Sequence, residues 1–204
     1  MLCSCDSQSL EELRYLPELR TLNIGYNPKI GHLESHIVKG KLGKLQALVC
    51  NECGFKSVSF IKFCTNLNTL ILSGNQLTVF PTSNDFSLHT LTKLSLSKNN
   101  LTQIPNLTVC VNLQELRINN NEISTISDSI TIAPKLKILD ISNNKIDSWE
   151  SVEYLLKLQL LTNLSLNGKL GYCVVMVILS ANRIVNLLQG TLSHHLQIPM
   201  TIHL

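Results

Sequence analysis

A chain of 204 residues with 44% apolar and 15% charged side chains carries enough apolar material for one globular domain and is too apolar for a disordered one. Its formal net charge of +3 is small and evenly spread, which gives no footing to a nucleic-acid or acidic-membrane partner. The most apolar run, Cys173 to Leu179, is far shorter than the roughly 20 residues of a membrane-spanning helix, and the start MLCSCDSQSLEELRYL has neither the basic nor the apolar region of a secretory signal.

Taken in order, the predicted elements are one element repeated. Segments of the form Leu-x-x-Leu-x-apolar open at Leu19, Leu45, Leu67, Leu91, Leu113, Leu136 and Leu161. The alternation predicts a short strand in each, with the second and third apolar residues turned inward. Just beyond each of the first six strands stands a turn residue: Asn27, Cys53, Asn75, Asn99, Asn121 and Asn144. Gln8 holds the same place in a partial unit before them, and from Cys53 onward the repeat is about 22 to 24 residues long. The unit without a misfit is LTKLSLSKNNL, Leu91 to Leu101.

Between the turn and the next strand, apolar residues recur every third position. Phe55, Val58, Ile61, Cys64, Leu67 and Leu70 form one such run. Leu101, Ile104, Leu107, Cys110, Leu113 and Leu116 form a second, and Ile146, Trp149, Val152, Leu155, Leu158, Leu161 and Leu164 a third. A period of three is that of a 3₁₀ helix, so 3₁₀ or short α turns are expected on the return path. One unit cannot bury its own apolar face, so stacking of neighbours is required.

The repeat Leu-x-x-Leu-x-Leu-x-x-Asn, followed by apolar residues at every third position, resembles the SDS22-like subfamily of leucine-rich-repeat proteins over residues 3 to 168. The resemblance implies an α/β leucine-rich-repeat solenoid: a curved arc with a parallel β-sheet on its concave face and 3₁₀ or short α turns on its convex face. It also implies an intracellular, cytoplasmic or nuclear scaffold, since members include a protein-phosphatase-1 regulator, a U2 snRNP component and a dynein light chain. The expected domain is 1–168, about seven repeats with a partial first one in which Cys3, Cys5, Gln8, Leu10, Leu13 and Leu16 fit the second half of a unit. That partial start is read as a fragment or an incomplete gene model. Residues 169–204 are expected to be an irregular apolar tail, either a degenerate repeat or unrelated sequence. Within it Val174, Val177, Leu179, Asn182, Ile184 and Leu187 match the pattern, but the match begins too soon after Leu161 for a full coil of about 20 residues.

The motifs that suggest chemistry reduce to repeat positions. In Cys50-x-x-Cys53, Cys50 replaces the last strand leucine and Cys53 the turn asparagine, and Cys3, Cys5, Cys64 and Cys110 also fall on core positions. Buried thiols without flanking cysteine caps predict a reducing compartment. His32 and His36 stand four apart, but the cysteines that could join them on a metal should point into the core, so no metal and no cofactor is expected. Gly40 to Lys44 lacks the spacing of a phosphate loop, and the sequons at Asn100, Asn106 and Asn163 are by-products of an asparagine-rich repeat. No Gly-x-Ser-x-Gly motif, paired-carboxylate helix or His-rich metal set is present to support an enzyme or a small-molecule substrate.

Function is therefore expected on the concave face, at strand positions that the repeat leaves open. The central column reads Asn23, Val49, Ile71, Ser95, Arg117, Asp140 and Ser165. The flanking columns are Thr21, Ala47, Thr69, Lys93, Glu115, Ile138 and Asn163, and Tyr26, Glu52, Gly74, Lys98, Asn120, Asn143 and Gly168. Exposed apolar Val49 and Ile71 beside Lys93, Lys98, Glu115, Arg117 and Asp140, with Tyr26 as the one aromatic, make the predicted binding site for a protein partner. A ribonucleoprotein component like the U2 snRNP relative, or a phosphatase-1 regulatory subunit, is the alternative. Charge balance argues against the first, and the lack of an acidic and aromatic ladder against the second.

Overall fold

The computed structural model describes residues 13, 15–31, 42–81, 86–147, 153–166 and 186–187. Seven short strands lie at the alternating positions: β1 Thr21–Asn23, β2 Ala47–Val49, β3 Thr69–Ile71, β4 Lys93–Ser95, β5 Glu115–Arg117, β6 Ile138–Asp140 and β7 Asn163–Ser165. With β8, Asn186–Leu187, they pair in parallel and in chain order as one eight-stranded sheet. The register is constant, so Leu22, Leu48, Leu70, Leu94, Leu116, Leu139 and Leu164 lie side by side. All seven are buried, five of them with no exposed area, and burying a leucine fully stabilises by about 1.5–3 kcal/mol. Leu187 pairs with Leu164, while Val174, Val177, Leu179, Asn182 and Ile184 lie outside the described residues.

The return paths follow the period of three without always forming a helix. The first run gives the 3₁₀ helix Ser59–Phe63, and a second 3₁₀ helix, Asp128–Ile132, spans the return from β5 to β6. Between β4 and β5 there is no helix, only isolated turn closures such as Cys110 N–H to Leu107 O at 2.8 Å. Leu101, Ile104, Leu107, Cys110 and Leu113 are nevertheless all buried. From β6 to β7 the strand leucines, Leu139 and Leu164, stand further apart in sequence than in the three coils before. This longer path accommodates the short α-helix Glu153–Leu156. Narrow strands on one side and wider turns on the other make each coil a wedge, and stacked wedges give a leucine-rich-repeat solenoid with the sheet on its inner side.

The turn asparagines tie one coil to the next. The carbonyl of Leu96 accepts from its own coil's Asn99 Nδ2 at 3.0 Å and from the following coil's Asn121 Nδ2 at 3.0 Å. Leu72 O receives Asn75 and Asn99 in the same way, and Ile118 O receives Asn121 and Asn144. Each Oδ1 then accepts a backbone N–H from the preceding coil, Leu77 for Asn99 and Leu101 for Asn121. Cys53 takes the same place with a weaker donor: its Sγ–H reaches Ile24 O of the preceding coil at 3.1 Å. Buried polar backbone is thereby satisfied from coil to coil.

Candidate functional site

The outward residues of the strands stand in the predicted columns. Thr21, Ala47, Thr69, Lys93, Glu115, Ile138 and Asn163 are register partners, as are Asn23, Val49, Ile71, Ser95, Arg117, Asp140 and Ser165. Val49 and Ile71, expected to be exposed, are half-buried, because strands about 4.8 Å apart in register cover each other's flanks. Ser95 is buried. The third column departs from strand geometry: Tyr26, Glu52, Lys98, Asn120 and Asn143 all have left-handed backbone, φ between 51° and 63°, and Gly74 has φ 71°. These residues form a rim on which Tyr26 is 53% exposed. Gly168 lies outside the described residues.

Three of the predicted residues form one ionic cluster. Glu115 Oε1 accepts from Arg117 Nε at 2.6 Å and from Lys93 Nζ at 3.1 Å. Burial works to raise the Glu115 carboxyl, but the hydrogen bonds from Arg117 and Lys93 outweigh it and hold the group below its ordinary range. A folded-state value below the unfolded one means that this contribution is present above the unfolded pKa and fades as pH falls through the folded one. In a carboxyl NMR titration the Glu115 midpoint is expected below the ordinary glutamate value and should move upward in Arg117→Gln. An unmoved midpoint would show that the pair does not persist in solution.

A groove of about 320 Å³ runs across the middle coils. It gathers Tyr26, Lys98, Arg117 and Asp140 from the predicted set, whereas Val49, Ile71, Lys93 and Glu115 lie outside its lining. Its floor includes a column that sequence reasoning missed: Asn51, Ser73, Ser97 and Asn119. Each stands immediately after the last inward side chain of its strand. Backbone pairing between coils continues past the strands, through Cys50 N–H to Ile71 O and Glu52 N–H to Ser73 O, so the alternation of faces continues as well. The signal was available in the small polar residues repeated at that offset, Ser73, Ser97 and Ser142. Three side-chain links run along the floor: Ser73 Oγ to Ser95 Oγ at 2.8 Å, Ser95 Oγ to Ser97 Oγ at 3.4 Å, and Ser97 Oγ donating to Asn119 Oδ1 at 2.5 Å. On the next coil, Asp140 Oδ1 accepts the Ser142 hydroxyl at 2.7 Å.

The cysteines are core. Cys50, Cys53, Cys64 and Cys110 are buried thiols outside any disulfide. Burial pushes Cys64 and Cys110 up to about 12 and raises Cys50 well above the usual thiol range, with Cys53 and Cys64 adding to the rise at Cys50. Thiols so raised are poor nucleophiles. Among the described residues no group of three or more His, Cys, Asp or Glu is placed to hold a metal ion. Cys3, Cys5, Gln8, His32, His36, Gly40, Lys41, His194 and His195 lie outside the described residues. A second open groove of about 510 Å³ is lined by Val79, Ile104, Pro105 and Ile132 on the return side. Among the described residues no helix is long and apolar enough to cross a membrane.

This geometry is that of leucine-rich-repeat proteins, and sequence comparison agrees. Residues 89–131 match the family described as Leucine Rich repeats (2 copies), and residues 135–158 the one described as Leucine Rich Repeat. Over 103 residues the chain is 36% identical to an adenylate cyclase of Podospora anserina, a match that takes in 47% of this chain and 5% of that protein. Among solved structures it is similar to a leucine-rich-repeat protein of Leptospira interrogans (24% identity, TM-score 0.61, covering 78% of this chain and 45% of that one). It is similar also to internalin C2 of Listeria monocytogenes (24%, TM-score 0.65, 78% and 66%). A third likeness is to TLR13 in its complex with ssRNA13 (29%, TM-score 0.66, 77% and 23%). The first two likenesses concern the fold alone, and the chain spans less than two thirds of each of these proteins.

Proposed function

We propose that this chain is a non-catalytic scaffold that binds a protein partner through the concave face of its solenoid. The observation that carries the reading is the groove, in which open positions of successive coils stand in constant register around one polar floor, with half-buried Val49 and Ile71 beside it. Such a surface combines an apolar anchor with a hydrogen-bonding lining, as protein interfaces do. Its repeat domain is 1–168, and the pairing of β8 on β7 supports a continuation of the sheet into 169–204. Buried thiols outside disulfides, together with the resemblance to the SDS22-like subfamily, support an intracellular site of action, cytoplasmic or nuclear. The ribonucleoprotein and phosphatase-regulator roles would use the same face.

Partner capture from extract tests the reading. Ile71→Asp and Arg117→Glu are each expected to reduce capture by about tenfold or more with circular dichroism unchanged, while Lys56→Glu on the return side leaves capture intact. Equal capture by all three variants would count against the concave face. A second reading, single-stranded RNA binding, is favoured by the likeness to TLR13 solved with ssRNA13 and by Lys98 and Arg117 in the groove. RNA binding would weaken steeply with added salt, because phosphate contacts release counterions.

A further inference from the structure

The groove is electrically polarised along the stacking direction. Glu52 lies over Gly74 of the next coil: a Cβ at Gly74 would meet Glu52 Cγ at 2.6 Å. The missing side chain at Gly74 therefore lets the Glu52 stem lean across the third coil. Lys98 and Arg117 follow on the fourth and fifth. Among the described residues neither Glu52 nor Lys98 takes part in an ion pair, whereas Lys93, Glu115 and Arg117 neutralise one another in part. Arg117 spends only Nε on Glu115, and its terminal nitrogens remain available.

The neutral floor has the same polarity. Ser97 gives its proton to Asn119 Oδ1, so its link to Ser95 needs Ser95 as donor, and the link of Ser95 to Ser73 then needs Ser73 as donor. The Ser73 oxygen is left as an acceptor, and beside it the buried Asn51 Oδ1 accepts no hydrogen bond among the described residues. Asn119 at the other end presents its amide N–H₂. Acceptors thus gather near Glu52 and donors near Lys98 and Arg117, and beyond Arg117 the groove closes on Asp140, whose Oδ1 already accepts the Ser142 hydroxyl.

Deepening the protein-partner reading, on which it rests, we infer that the groove takes an extended peptide segment with a basic and an acidic side chain at positions i and i+2. The basic group meets Glu52, and the acidic one meets Lys98 and Arg117. The spacing follows from geometry. Along the stacking direction the carboxylate over the third coil is one coil spacing, about 5 Å, from Lys98 on the fourth coil and two, about 10 Å, from Arg117 on the fifth. Residues i and i+2 of an extended chain lie about 6.6 Å apart and point to the same side.

The test titrates the isotope-labelled full chain with short Gly/Ser peptides centred on Lys-Ser-Glu, Lys-Ser-Lys, Glu-Ser-Glu or adjacent Lys-Glu. Lys-Ser-Glu is expected to bind about tenfold more tightly than either same-sign peptide. It should shift the amides of Glu52, Gly74, Lys98 and Arg117, and the preference should vanish in Glu52→Gln and in Lys98→Met. Equal binding of all peptides to those amides overturns the polarity while leaving the concave face as the binding surface. Shifts confined to the return side, or none with any peptide, overturn both. Preferential shifts with oligouridylate and a steep salt slope overturn the peptide in favour of RNA.

Discussion

Replacing Asn99 by alanine is expected to destabilise the chain by about 3 kcal/mol, because it strips a buried backbone N–H of its acceptor and removes donors from buried carbonyls. The groups affected are Leu77 N–H, bound by Asn99 Oδ1 at 3.0 Å, and the carbonyls of Leu72 and Leu96, each 3.0 Å from Nδ2. Those carbonyls keep one further donor each, from Asn75 and Asn121, which limits the loss. Asn99→Cys should fall between wild type and Asn99→Ala, since Cys53 already shows a thiol donating to the preceding coil at the equivalent place. Urea denaturation of the three proteins measures this. A cost below about 1 kcal/mol for Asn99→Ala would mean that the ladder is ornamental to stability.

Leu94→Ala is expected to cost about 3–4 kcal/mol, the transfer of its lost methyl groups together with the cavity left behind. Leu94 is fully buried at the centre of β4, between Leu70 and Leu116. Because a solenoid coil contacts only its neighbours, the cavity should also weaken the coupling between the coils on either side and lower the denaturant slope. Val111→Ala, at a position 45% exposed, is the control and should change stability by no more than about 0.5 kcal/mol. A Leu94→Ala cost no larger than that of Val111→Ala would mean that the sheet centres do not carry the fold.

The repeat could be read from sequence because each of its constraints is local and recurs. Leucine at the strand centre, asparagine just beyond the strand and an apolar residue at every third return position are each demanded by burial, and Leu22 to Leu164 stand where alternation put them. The face was harder to read. Val49 and Ile71 became half-buried through neighbours on adjacent coils, a full repeat away in sequence, and no local window covers that separation. Asn51, Ser73, Ser97 and Asn119 lie one residue past the last inward side chain, where they face the groove only because inter-coil pairing continues beyond the strand. The left-handed rim was concealed by its own residues. Gly74, Asn120 and Asn143 tolerate positive φ, but Tyr26, Glu52 and Lys98 give no sign of it.

That rim has a consequence for how such a surface can diversify. Left-handed backbone crowds the Cβ, and a branched Cβ crowds it further, so valine, isoleucine and threonine are closed to these positions. Among the described residues the rim holds aromatic, acidic, basic, amide and glycine residues and no branched one, whereas the strand columns beside it carry Thr21, Val49, Thr69, Ile71 and Ile138. The concave face is therefore written in two alphabets. Shape and apolar contact can be varied on the strands, and charge and hydrogen bonding on the rim, each without altering the leucines that hold the coils together.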